Sequence, residues 1–340
     1  MSVWLNNKQR FLPGMKKALS ILLLGVLSML FAEVFSGAST LWFLTVWGLL
    51  LTFPLYLGHG LFFFNVAVRT NRTSLRQLYF FGMMFGLYEA LITKVLWFGY
   101  PTATGPAVGY FFGIAWSEFL TLVLFWHPVM SFLIPILAYE LLSKDIIPGH
   151  ERLLQKNRIT MIGVAILIVT GAVFQSNGAK YNMLVSLGSI AGTLVIIMLL
   201  HYLTPGKTRQ SLVLGKRGMV VLVMYLVVLY GATTVFILPE RLPRTVLPYL
   251  LIFLWYLLAI GLLWIDRFTP QRRVVERTVF SVRDLSICVV LLLGATVLFS
   301  LISQVSYAIL LVFFVSLMGA GVVLFSWSVI MLIKQRISGN

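Results

Sequence analysis

The chain is written in long apolar runs separated by short polar connections. Ten runs stand out, at residues 18–36, 41–64, 78–98, 108–142, 159–177, 182–203, 218–238, 246–265, 285–304 and 307–333. About twenty residues of α-helix, rising 1.5 Å each, cover roughly 30 Å, the thickness of a bilayer's hydrocarbon core. Apolar and polar positions do not alternate within the runs, which excludes the two-residue repeat of a membrane β-barrel. The expectation is an all-α fold, a polytopic transmembrane helix bundle of about ten spans in a single transmembrane domain (1–340). It divides into a half with buried polar residues (18–142) and a more purely apolar half (159–333). The connections hold no soluble domain and no glycine loop of the kind that cradles nucleotide phosphates.

The fourth run is the exception to the pattern. Its 35 residues would make a helix of about 52 Å. Two crossings would reverse the side of every later connection, so one long helix is expected, broken at Pro128 and Pro135. Each proline removes a backbone donor and crowds the preceding turn. The carbonyls freed at membrane depth then require partners inside the protein.

Composition sharpens this picture. Of the 340 residues 60% are apolar and 11% charged, with mean hydropathy +0.97, against about 25% charged in a soluble domain. The net charge of +16 does not point to nucleic acid, because 22 of the 26 Lys and Arg fall in connections on one side of the bundle. That asymmetry predicts a cell-membrane protein with both termini cytoplasmic. Arg267, Arg272, Arg273 and Arg277 lie close together on that side and are expected to meet anionic lipid headgroups. The N-terminal run continues into Glu33 and reads as a retained span rather than a cleaved signal. Asn71-Arg72-Thr73 matches a glycosylation sequon but falls on the cytoplasmic side. Cys288 stands alone in an apolar run, a small hydrophobe rather than part of a disulfide or thiolate site.

The ionisable residues placed deep in the membrane are concentrated between Gly82 and Glu140. Glu89 and Lys94 lie on the third run, and Glu118 and His127 on the fourth; Glu33 ends the first. An isolated charge at mid-membrane costs at least about 2.5–3.5 kcal/mol, so these groups call for partners or a use. Glu89 and Lys94 sit five apart, about 140° around a helix, and do not face each other. Lys94 is expected to reach Glu33 or Glu118 across helices, or to extend outward. Glu118 and His127 are nine apart, on opposite faces unless the proline break redirects them. Ser131 is one turn from His127 and can fix the imidazole tautomer; the same histidine could equally be a structural group at a kink. Gly82 and Gly86 predict close helix packing beside Glu89. His59 and His201 read as packing or interfacial residues, and Glu140 and Asp145 as solvated at the inner surface. No metal site is assigned, and the sequence names no cofactor.

Three stretches carry a resemblance. They are Gly86-Leu87-Tyr88-Glu89-Ala90-Leu91-Ile92-Thr93-Lys94-Val95-Leu96-Trp97, Phe125-Trp126-His127-Pro128-Val129-Met130-Ser131-Phe132 followed by Pro135, and Glu33 before Ser36-Gly37. Over about residues 20–145 they resemble uncharacterised multi-pass membrane proteins of archaea and bacteria, which implies no activity. A more distant likeness is to the CPBP-type intramembrane proteases, the family of CAAX-processing enzymes. It implies that Glu89 stands in a first motif, His127 in a second and His201 loosely in a third. The sequence departs from that pattern at Ala90 in place of a second glutamate, Lys94 in place of arginine and Val123 in place of phenylalanine.

Three functions are consistent with these residues. An intramembrane hydrolase would use Glu89 as general base with His127 as partner, supported by Glu33, Lys94, Glu118 and Ser131. A proton- or ion-coupled transporter would use the same groups around the Pro128/Pro135 break. A non-catalytic membrane subunit or scaffold, or a homo-oligomer, would pair the charges with another chain. Whether the protein is an enzyme is left open at this point.

Overall fold

The structure, a computed structural model, describes residues 13–100, 109–268 and 279–337. Arg272, Arg273 and Arg277 lie outside the described residues. Helix α1 (Pro13–Met29) ends in a wide turn, Leu30–Val34. A similar wide turn, Gly48–Thr52, leads into α2 (Phe53–Arg69). The third run is α3 (Leu75–Gly86) followed by the single turns α4 (Tyr88–Leu91) and α5 (Val95–Phe98). A small hairpin, β1 (Tyr110–Phe111) with β2 (Ile114–Ala115), precedes the long α6 (Trp116–Ser143). After the short α7 (Glu151–Leu154) come α8 (Arg158–Gly178), α9 (Met183–Leu203), α10 (Lys216–Phe236), α11 (Leu247–Ile265), α12 (Val282–Leu301) and α13 (Ser303–Ile337).

Nine helices among the described residues are long and apolar enough to cross a membrane. The tenth run, 78–98, traverses the bundle in pieces rather than as one helix. Its beginning meets the end of α11 through Arg76 and Asp266, and its far end meets the end of α10 through Lys94 and Thr233. The fourth run begins as a helix at Trp116 rather than near 108, because the hairpin occupies 110–115.

Lys17 and Arg69 both donate to carbonyls of the connection before α10, Val213 and Leu214. With Arg76–Asp266, Lys156–Asp284 and Arg209–Asp145, these contacts gather the basic connections at one end of the bundle. Capping boxes start three helices there, Ser74/Gln77 on α3, Asn157/Thr160 on α8 and Ser281/Asp284 on α12. Each satisfies backbone donors that the helix itself leaves open.

Helices α1, α2, α3 and α6 pack on one another at the centre. The later helices surround them with apolar outward faces, including Val227, Leu254 and Val315, as expected where the surrounding solvent is hydrocarbon. Helices α3 and α6 approach closely. A methyl group on Gly82 would lie 2.5 Å from Pro128 Cα, and one on Gly86 would lie 3.1 Å from His127 Cβ. Small residues at these two positions let the backbones meet.

Proline does not interrupt α6 as a gap. From Phe119 to Leu133 the helix runs in widened turns with Pro128 inside, a geometry that makes room for the ring. In an α-helix the two prolines would leave the carbonyls of Leu124 and Ser131, four residues earlier, without donors. The Tyr79 hydroxyl donates to the Leu124 carbonyl at 2.7 Å, and the Ser28 hydroxyl to the Ser131 carbonyl at 2.7 Å. Neighbouring helices thus supply the partners that membrane depth demands.

Candidate functional site

His127 is wholly buried within the widened turns of α6, next to Pro128, with Gly86 of α3 beneath its Cβ. Its Nε2 lies 2.9 Å from Glu89 Oε1 and its Nδ1 3.0 Å from Ser131 Oγ. With Glu89 ionised the carboxylate only accepts, so Nε2 carries the proton and Nδ1 accepts from the serine hydroxyl. Glu89 is held from just past its one-turn helix: the Thr93 hydroxyl contacts both its carbonyl and its Oε2. Three rings box the imidazole, with centroids at 5.0 Å for Tyr88, 5.5 Å for Phe85 and 6.1 Å for Tyr56.

The polar contacts continue toward the end opposite the basic connections. The Tyr88 and Tyr56 hydroxyls are 3.1 Å apart. The half-buried Glu33 carboxylate lies within electrostatic reach of Tyr56, Glu89 and His127. Glu33 accepts from the Ser39 hydroxyl, and its carbonyl accepts from the Ser36 hydroxyl at 3.0 Å. On the other side of Ser131 a cavity of about 10 Å³ lies between Ser28, Tyr56 and Ser131, closed by Leu24, Pro135 and Ile136. That is room for roughly one water molecule.

The wide turn after α1, helices α2 and α6 and the short α4 therefore gather Glu33, Tyr56, Tyr88, Glu89, His127 and Ser131 in one neighbourhood. Glu118 stands apart from it. Its Oε1 accepts from the Tyr100 amide at 3.0 Å and its Oε2 from the Ser117 hydroxyl at 2.5 Å. It pins the chain after α5 and makes no bond to His127, although Glu33, Glu89 and Glu118 all lie in electrostatic reach of Tyr100. The widened turns of α6 do not redirect Glu118 toward the imidazole.

Lys94 departs from the expectation that it neutralises a carboxylate. Its backbone is left-handed (φ +61°), and its buried ammonium donates to the carbonyls of Ile92, Thr233 and Ile237. It caps the last turn of α10, where carbonyls without helical partners and the helix dipole both favour a cation. His201 sits at the basic end with Nδ1 2.5 Å from Lys207 Nζ, remote from the third-motif position that the protease resemblance would give it. His59 is a packing residue with both nitrogens bonded, to the Leu55 carbonyl at 2.8 Å and the Tyr230 hydroxyl at 3.1 Å. Glu140 is not solvated: it is buried and pairs with His150 at 2.8 Å, while His150 also meets the Thr73 carbonyl. Sequence reading missed Tyr56 and Tyr88. Tyr88 adjoins Glu89 in the chain, which was a signal; nothing in the sequence points to Tyr56. Among the described residues no group of three or more His, Cys, Asp or Glu side chains is arranged to hold a metal ion.

The profile of a family described as an uncharacterized membrane protein family matches residues 22–337. The chain belongs to that family. Consistent with membership, it resembles an uncharacterized protein of Archaeoglobus fulgidus, 43% identical over 124 residues. The match covers 36% of this chain and 38% of the archaeal one, so the aligned region spans about two fifths of the relative's length. No solved structure is significantly similar to the chain. Family membership and the apolar helices together make this a multi-pass protein embedded in a lipid bilayer.

Proposed function

We propose that this family member is an intramembrane hydrolase in which Glu89 and His127 activate water. One observation carries the reading. Glu89 and His127 are the residues that the protease resemblance assigns to its first two motifs, and they meet at 2.9 Å although 38 residues separate them on different helices. Glu89 takes a proton from water as the water oxygen adds to a carbonyl carbon, and delivers that same proton to the leaving group as the intermediate collapses, while the His127 Nε2–H bond to Glu89 Oε1 holds the carboxylate in place. Ser131 holds the imidazole tautomer through Nδ1. The substrate bond enters from the Glu33 end, where that residue is only partly buried.

The test reconstitutes the full chain in liposomes with single-span peptides and extracted membrane lipids, and reads products by mass spectrometry. Wild-type turnover should fall by roughly 10² or more in Glu89→Gln with unchanged thermal unfolding. Equal turnover in wild type and variant would refute the assignment.

A second reading, proton-coupled transport, is favoured by the run of polar groups Glu33–Tyr56–Tyr88 beside Glu89–His127–Ser131. It expects a pH-dependent flux into sealed liposomes that Glu89→Gln abolishes without any cleavage product. In either case the chain forms one transmembrane domain, and the basic end and both termini face the cytoplasm of the cell membrane, in accord with the charge asymmetry.

A further inference from the structure

A groove of about 290 Å³ opens at the basic end, where the turn between α2 and α3 meets the end of α11. Thr70, Asn71, Arg72, Gln77, Trp264 and Asp266 line it, with Arg267 at its edge. The acid in this group brings no free negative charge. Asp266 is wholly buried and held by Arg76, at 2.6 Å to Oδ2 and 2.9 Å to Oδ1. Gln77 is likewise committed, donating to the carbonyls of Asp266 and Phe268.

The two remaining guanidiniums leave the groove cationic. Arg72 is fixed by Nε to the Leu263 carbonyl at 2.8 Å and by Nη1 to the Thr70 carbonyl at 3.3 Å, and among the described residues nothing engages its Nη2. Arg267 is exposed, and among the described residues no hydrogen bond holds its guanidinium. Trp264, 71% exposed, and the exposed Ile260 and Ile265 adjoin it on the apolar side of α11. A cationic recess beside an exposed indole and aliphatic side chains offers phosphate contacts and acyl-chain contacts in the same place.

We infer that this groove binds the headgroup of an anionic phospholipid, with Arg72 and Arg267 on the phosphate and Trp264 against the first part of an acyl chain. The inference is independent of the hydrolase reading, because the groove lies at the opposite end from Glu33. Arg72 is pre-ordered by its two carbonyl bonds, so little side-chain freedom is lost on binding.

The test is native mass spectrometry of the purified full chain with phosphatidylglycerol, with phosphatidylcholine and with inorganic phosphate. Phosphatidylglycerol should be retained preferentially over phosphatidylcholine. The variant Arg72→Gln/Arg267→Gln should retain it roughly thirtyfold less, the factor expected of two arginines acting on an anionic headgroup. Arg244→Gln, at the other end, should bind as wild type. If the double variant fails to fold, Arg267→Gln alone, which breaks no bond in the described structure, should still weaken retention. Equal retention of the two lipids, unaltered binding in the Arg267 variant, or displacement of the lipid by inorganic phosphate would overturn the inference.

Discussion

Adding one methyl group at Gly82 tests whether the α3–α6 approach positions the Glu89–His127 pair. An alanine Cβ there would stand 2.5 Å from Pro128 Cα and 3.1 Å from its Cβ and carbonyl oxygen. Carbon atoms pack at about 3.5–4.0 Å, and the obstacle is backbone that cannot rotate aside. The helices must therefore separate by roughly 1 Å, which carries Glu89 and His127 from 2.9 Å beyond hydrogen-bond reach. Overpacking costs about 1–3 kcal/mol and a lost bond to a charged group about 1.5–3 kcal/mol. Gly82→Ala should accordingly lose about 2.5–6 kcal/mol. Gly86→Ala meets its neighbours at 3.1 Å and needs a shift of only a few tenths of an ångström, so it should fall near 1 kcal/mol. Gly163→Ala, on α8 with nothing within 4 Å, should be neutral or gain about 0.5–1 kcal/mol from helix propensity. Denaturant unfolding in nanodiscs ranks the three. If Gly82→Ala lies within about 0.5 kcal/mol of wild type, or below Gly86→Ala in its effect, the helices are not held at this crossing as argued.

Other substitutions probe the remaining contacts. Lys94→Met removes the cation from the last turn of α10 and should speed amide exchange at Thr233–Ile237 by at least tenfold, since hydrogen bonds to charged groups are worth about 1.5–3 kcal/mol; protection equal to wild type would contradict the cap. Tyr79→Phe strips the Leu124 carbonyl of its donor beside Pro128 and should cost about 1–3 kcal/mol in unfolding free energy. Burial lowers the Lys207 ammonium from its ordinary range to about 8. The unfolded chain then binds more protons between about pH 8 and 10.5, so stability should rise with pH through that window. Lys207→Met should flatten the rise in unfolding scans, and a slope unchanged by the substitution would refute the lysine's part in it.

The spans were legible because each is a long run with little charge, and the basic connections fall at one end in the fold as they do in the sequence. The interruption of the third run was not legible. Lys94 is left-handed there, and its ammonium caps a helix about 140 residues later, a tertiary partner that no local pattern encodes. The prolines announced freed carbonyls, but their donors, Tyr79 and Ser28, sit 45 and 103 residues away in the chain. The protease resemblance paired Glu89 with His127, and the two meet; Glu118, on the same run as His127, is held instead by a neighbouring backbone amide. Glu140 read as solvated because it ends a span; its partner His150 folds back from the connection and covers it.

The turn after α1 has a consequence for how the chain is made. Gly37 adopts φ +73°, and a methyl group on it would lie 2.7 Å from Gly178 Cα at the end of α8. Ribosomes add about 5–20 residues per second, so the clamp on this turn arrives roughly 7–28 s after the turn itself emerges. For that interval the segment carrying Glu33 matures without its lid. A lesion confined to the tip of α8 would therefore be felt first as slow maturation of a loop synthesised long before it.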